Sequence, residues 1–258
     1  MTGMTPATKT EELTNRVNAM WERLIVGNNP PDELEWRRLF RELEKAEAAP
    51  EAAPDMLCLQ AILWALKQDI GNANRVFNIY AGRYGKTRTW YMSRASIGPL
   101  LGRLSMITEM LDCDYPYGDR EGLFTVMNAS AQIGLFLSAR KAIRDLETLG
   151  ESELYDKAYI GIPTTLAAAE YLEEHGVDER EVAKRIQVAA ETVKKYSRIR
   201  HFKVVANSFG IMLEYVVDAD MDTLVDIDFA ITDALCATFE DPLSNHVSLG
   251  VTPPAESV

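Results

Sequence analysis

Apolar positions recur at helical spacing over most of this chain, and the pattern changes period near residue 200. Leu13, Val17, Met20, Trp21 and Leu24 predict a first helix over 11–25, after a disordered lead-in over 1–10. Gly27-Asn28-Asn29-Pro30-Pro31 ends it, because proline cannot continue the hydrogen-bond ladder and glycine tolerates positive φ. Asp32 reads as the N-cap of a second helix reaching about Ala48, with Leu34, Leu39, Phe40 and Leu43 inward. Ala46 to Asp55 reads as a linker, since Pro50 and Pro54 break any long helix.

Beyond the linker an apolar-plus-glycine step occurs three times: Ile70-Gly71, Leu101-Gly102 and Ile133-Gly134, spaced 31 and 32 residues apart. The flanking columns match as well. Ala61, Met92 and Phe124 stand ten residues before the glycine, and Val76, Ile107 and Ala139 five after it. A period in the low thirties with apolar columns is what stacked helix–turn–helix units produce. The helix pairs read as 56–69 with 72–84, 88–100 with 103–113, and 120–132 with 135–149.

After Gly150 the repeat stops. Thr164 or Thr165 caps a helix to Glu174, and Asp178-Glu179-Arg180-Glu181 has capping-box spacing for another that runs to about Tyr196. Phe202–Ala206 and Ile211–Val217 are β-branched and aromatic runs, and they flank Asn207-Ser208-Phe209-Gly210, a hairpin turn. A helix over 221–239 and a strand over 247–251 follow, with Tyr159–Ile162 as a candidate first strand and a tail from Pro253 onward. The fold class is therefore mainly α (α+β): stacked helical hairpins followed by a small C-terminal α+β region. Three domains are expected: an N-terminal helical pair and linker over 1–54, repeats over 55–150, and the α+β region over 151–258.

The segment 55–150 resembles tetratricopeptide repeats. The resemblance rests on glycine at the turn between helices, on small residues such as Ala73 and Ala139 in the second helix, and on the period. It departs from that family in three ways. The period falls short of 34. The proline expected at the end of each unit stands only at Pro116, and Gly98-Pro99 interrupts the third helix of the array. The resemblance implies a groove that holds an extended or helical segment of a protein partner.

Composition narrows the class. At 258 residues, 47 % apolar and 26 % charged, the chain is ordinary for a globular protein. No run approaches 18 apolar residues, and residues 1–12 have no signal-peptide core. Cys58, Cys113 and Cys236 read as reduced core thiols, so the expected location is cytoplasmic. The net charge of −12 disfavours nucleic acid and anionic membrane in general. Yet residues 70–108 contain no acid, while Arg75, Arg83, Lys86, Arg88, Arg94 and Arg103 all fall there. A second acid-free stretch, 192–213, holds Lys194, Lys195, Arg198, Arg200 and Lys203.

Candidate chemistry is sparse. Gly85-Lys86-Thr87 ends like a phosphate loop, but Tyr80 stands where the motif needs its first glycine. Asp218, Asp220, Asp222 and Asp226 match four positions of a calcium loop, yet Thr223 and Phe229 replace its glycine and its glutamate. The plainer reading is that Asp220 and Asp222 cap a helix. His175, His201 and His246 lack paired ligand spacing. The strongest feature is the interleaving of Tyr84 and Trp90 with Arg83, Lys86, Arg88 and Arg94, a basic and aromatic set suited to an acidic partner.

Three functions are open at this point. The first is a non-enzymatic adaptor that binds an acidic or extended protein segment, or a second copy of the chain, through Arg83, Tyr84, Lys86, Arg88, Trp90 and Arg94. The second is a nucleic-acid- or anion-binding module on the same cations. The third is a metal-dependent enzyme using the Asp218 cluster. No catalytic residue, cofactor or resident metal is expected, and no membrane partner.

Overall fold

The computed structural model describes residues 6–25 and 29–254. The first half of the predicted lead-in, Gly27 and Asn28 of the first breaker, and the end of the tail lie outside the described residues. The chain divides into two compact units, Met1–Leu101 and Gly102–Val258, a division that falls inside the stretch read as one repeat block.

Among the described residues the first unit holds five helices: α1 Pro6–Ile25, α2 Glu33–Ala46, α3 Ala53–Leu66, α4 Ile70–Tyr84 and α5 Arg88–Leu101. Leu13, Val17, Met20 and Leu24 of α1 meet Leu39 and Leu43 of α2 and Met56, Leu59 and Leu63 of α3 in a buried cluster. Asp32 caps α2 as expected, accepting from the Glu35 amide at 2.8 Å. Leu34 faces outward instead of inward, 65 % exposed, and Trp36 takes the interior place, donating its indole N–H to the Leu63 carbonyl at 2.8 Å. Pro54 does not break a helix. It sits in the first turn of α3, where a missing N–H costs nothing. Pro99 likewise lies inside α5, which continues to Leu101.

The second unit begins with α6 Leu104–Cys113, α7 Arg120–Gln132 and α8 Phe136–Thr148, then a short 3-10 helix, Ser152–Lys157. Then come α9 Ile162–Glu174, α10 Glu179–Val193, β1 Ile199–Asn207, β2 Gly210–Val217, α11 Met221–Thr238 and β3 Val247–Thr252. β1 and β2 form the expected hairpin, with Asn207 opposite Gly210 and the Asn207 side chain accepting from the Phe209 amide at 2.8 Å. β3 pairs parallel to β2, so α11 is the crossover of a β–α–β unit and the sheet order is β1-β2-β3. Leu213, Tyr215 and Val217 of β2 pack with Leu172 of α9, Ile186 and Val193 of α10, and Ile227 and Ile231 of α11. The class is α+β: a helical stack followed by a small three-stranded sheet.

Four further expectations change. Tyr159–Ile162 is not a strand: Pro163 favours the first helical turn, and α9 starts at Ile162 behind an uncapped Gly161. The helix pair read over 88–100 and 103–113 is divided, because α5 closes the first unit and α6 opens the second. Cys58 is buried, its thiol pushed up to about 11 by burial, but Cys113 and Cys236 are exposed. Gly71 is not a turn glycine. It lies in the first turn of α4, and the left-handed residue of that connection is Gln68, at φ 58°. Gly102 (φ 62°) and Gly134 (φ 86°) hold the corresponding places, each two residues before a helix begins.

Candidate functional site

The basic and aromatic residues gather at the turn between α4 and α5. Gly85 ends α4 at φ 78°, its amide donating to the Ala81 carbonyl at 3.0 Å. That makes Gly85-Lys86-Thr87 a helix cap and an entry to α5, not a phosphate loop. Thr87 fixes the turn from both sides: its hydroxyl lies 2.8 Å from the Tyr80 hydroxyl and accepts from the Trp90 amide at 3.4 Å.

Around this turn the six candidate residues separate into a surface and its support. Arg83, Tyr84, Lys86 and Arg88 are exposed. Tyr84 is 38 % exposed, and its ring stands edge-on to Tyr80 at 5.3 Å. Arg83 donates to Glu47 at 2.7 Å, a carboxylate 36 residues earlier, so part of its charge is answered within the same unit. Trp90 is only 2 % exposed. Its indole N–H donates to the Phe77 carbonyl at 3.0 Å, and its ring meets Phe77 and Tyr91 edge-on. It is therefore an interior side chain, not the surface anchor its spacing allowed. Lys86 Nζ, 4.9 Å from the ring centre, and Arg94 Cζ, at 4.4 Å, hold the same ring by cation–π attraction. Arg94 also approaches Phe77 and is half-buried.

Two of the four carboxylates of the third reading are occupied structurally. Asp218 pairs with Arg200, and Asp220 caps α11 by accepting from the Thr223 amide at 2.8 Å. Among the described residues no three or more His, Cys, Asp or Glu side chains gather in a metal-holding group.

Sequence spacing hid two clusters in the second unit. His175 and His246, 71 positions apart, have ring centres 5.7 Å apart, with Tyr171 stacked on His175 and its hydroxyl 3.1 Å from His246 Nδ1. Only the fold brings them together. The other is Lys194, at the end of α10, whose amine would lie 3.1 Å from a Cβ placed on Gly102. Arg103, beside it, donates to Glu191 at 2.7 Å.

Burial first, and then the Arg103 charge, lower Lys194 from its usual 10.5 to about 8. The folded chain thus binds fewer protons than the unfolded chain between pH 8 and pH 10.5, and this group favours folding more as pH rises. Below pH 8 its burial cost is fully present. Lys194→Met is expected to raise stability at pH 7 by about 1 kcal/mol, with the gain shrinking toward pH 10. Thermal melts of both proteins at the two pH values check it; a gain that does not depend on pH refutes the assignment.

No family model matches this chain, and no curated protein or solved structure matches it significantly. No helix among the described residues is long and apolar enough to cross a membrane.

Proposed function

We propose that this chain is a non-enzymatic protein-binding adaptor built on tetratricopeptide-like helical hairpins, and that the turn between α4 and α5 receives an acidic segment of its partner. One observation carries the reading. Arg83, Tyr84, Lys86 and Arg88 are exposed together on one short turn, within 39 consecutive residues free of acid. The hairpins α3–α4 and α7–α8 are the tetratricopeptide-like elements; in each, an amphipathic second helix follows a turn that holds one left-handed residue. An exposed aromatic adds desolvation energy to long-range attraction, a combination common at the centre of protein interfaces.

The test reverses charge at two exposed positions of the turn, Lys86 and Arg88. Arg94 is spared because it is half-buried over both Trp90 and Phe77, whereas Lys86 is exposed and meets only the Trp90 ring. Lys86→Glu with Arg88→Glu should lower capture of a partner from native extract at least tenfold while changing stability by under about 1 kcal/mol. Capture that survives nuclease and is lost on reversal supports the adaptor. Full capture by the reversed chain overturns it, and loss of capture on nuclease treatment moves the surface to nucleic acid.

A further inference from the structure

Among the described residues, the outer face of α11 is unlike any other helix face in the second unit. Leu224, Ile227, Ile231 and Leu235 are buried against the core, so the opposite side of α11 faces solvent. On that side Met221, Val225 and Phe229 follow one another at four-residue spacing, 67 %, 49 % and 68 % exposed. An apolar stripe of this kind is what a helix presents when something else covers it. Beside it run Asp222, Asp226 and Asp233, all exposed, and none makes an ion pair or side-chain hydrogen bond among the described residues. The helix contains no lysine or arginine. Its other two aspartates are used locally: Asp220 as the N-cap, and Asp228 to accept from the Val251 amide of β3 at 2.9 Å.

An apolar stripe edged by unanswered carboxylates fits a surface that carries an aromatic beside cations. The turn between α4 and α5 has that chemistry, with Tyr84 exposed beside Lys86 and Arg88. We propose that the outer face of α11 is a self-association surface, which receives the α4–α5 turn of a second copy of the chain. Tyr84 lies against the Met221–Val225–Phe229 stripe, and Lys86 and Arg88 answer Asp222 and Asp226. The inference rests on the reading that this turn is an interface, and it names one occupant for it. Because two different faces meet, the contact is head-to-tail and extends beyond two copies unless it closes into a ring. The competing symmetric arrangement, α11 against α11, sets like charges face to face.

The experiment uses the full chain and measures its mass in solution by light scattering over a range of concentrations and salt. The wild type is expected to gain mass with concentration and lose that gain in high salt. Lys86→Glu with Arg88→Glu should be monomeric, and so should Asp226→Lys with Phe229→Ser. Mixed one to one, these two variants should form a dimer and stop there, since each keeps the face that the other has lost. A wild type that stays monomeric up to about 0.5 mM overturns the self-association while leaving the adaptor reading to its own capture test. Association that survives the α11 changes overturns it too. So does a mixture that stays monomeric, because the two faces then are not partners. Loss of association on Lys203→Glu but not on the Lys86 and Arg88 reversal gives the occupant's place to the outer face of the sheet and refutes the pairing proposed here.

Discussion

Replacing Trp90 by alanine is expected to destabilise the first unit by about 3–5 kcal/mol, the largest effect of any single change near the candidate surface. The ring is 2 % exposed, and its removal empties the space between Phe77 and Tyr91. It also removes the indole hydrogen bond to the Phe77 carbonyl, about 0.5–1.5 kcal/mol of the total, since that carbonyl keeps its place in the ladder of α4. Lys86 and Arg94, now drawn to the face of the ring, would border a cavity instead. Tyr84→Ala removes an exposed ring and should cost under about 1 kcal/mol. Urea unfolding of both variants, followed separately for the two units, checks the contrast. If Trp90→Ala unfolds like the wild type while partner capture falls, then Trp90 is an anchor and its interior role is refuted.

Trp90 also shows what a linear reading can and cannot see. Its neighbours Arg88 and Arg94 are cations and Tyr91 is aromatic, so composition marks the stretch as basic and aromatic without saying which ring faces in. Side-chain direction depends on the partner helix: Phe77 of α4 supplies both the edge-on contact and the acceptor carbonyl. Leu34 and Trp36 repeat the lesson, since both are apolar and two residues apart, and only the packing of α2 on α3 decides between them. Charge fails in the same way. Residues 70–108 hold no acid, yet Arg83 is paired with Glu47, which a local count cannot include.

Local chemistry was far more legible. Asp32, Asp178 and Asp220 cap the helices that they precede, because a side-chain oxygen at that place answers an orphan amide whatever the rest of the fold does. The hairpin at Asn207–Gly210 was legible for a similar reason: Asn207 closes the turn by itself, through its own side chain. Gly210 adds a reason that no spacing reveals, since a Cβ there would stand 3.0 Å from the His246 carbonyl oxygen. Tyr159–Ile162 is ambiguous in the sequence because a short apolar run serves equally as a strand or as the entry to a buried helix, and the helix α9 takes its end.

The glycines carry the second large prediction, and with it the register of the helical hairpins. Gly134→Ala is expected to cost about 2–4 kcal/mol, from two sources. At φ 86° an L side chain is strained, and a Cβ there would meet Ile186 Cδ1 at 2.4 Å and Val182 Cγ1 at 3.2 Å, both on the well-packed face of α10. Gly71→Ala should do the opposite and stabilise by about 0.5–1 kcal/mol, because Gly71 is helical and its added Cβ would make only an ordinary 3.5 Å contact with Asp69. Gln68→Gly should also stabilise, by up to about 1 kcal/mol, since it relieves a left-handed residue at φ 58°. Thermal melts of the three variants therefore separate two registers. If Gln68, Gly102 and Gly134 are the equivalent turn positions, they are spaced 34 and 32 residues apart, and the Gly71 step matched the pattern three residues out of place. A costly Gly71→Ala beside a harmless Gly134→Ala restores the register of the glycine steps. The opposite pair of results assigns the turn before α4 to Gln68, a residue that no search for glycine would find.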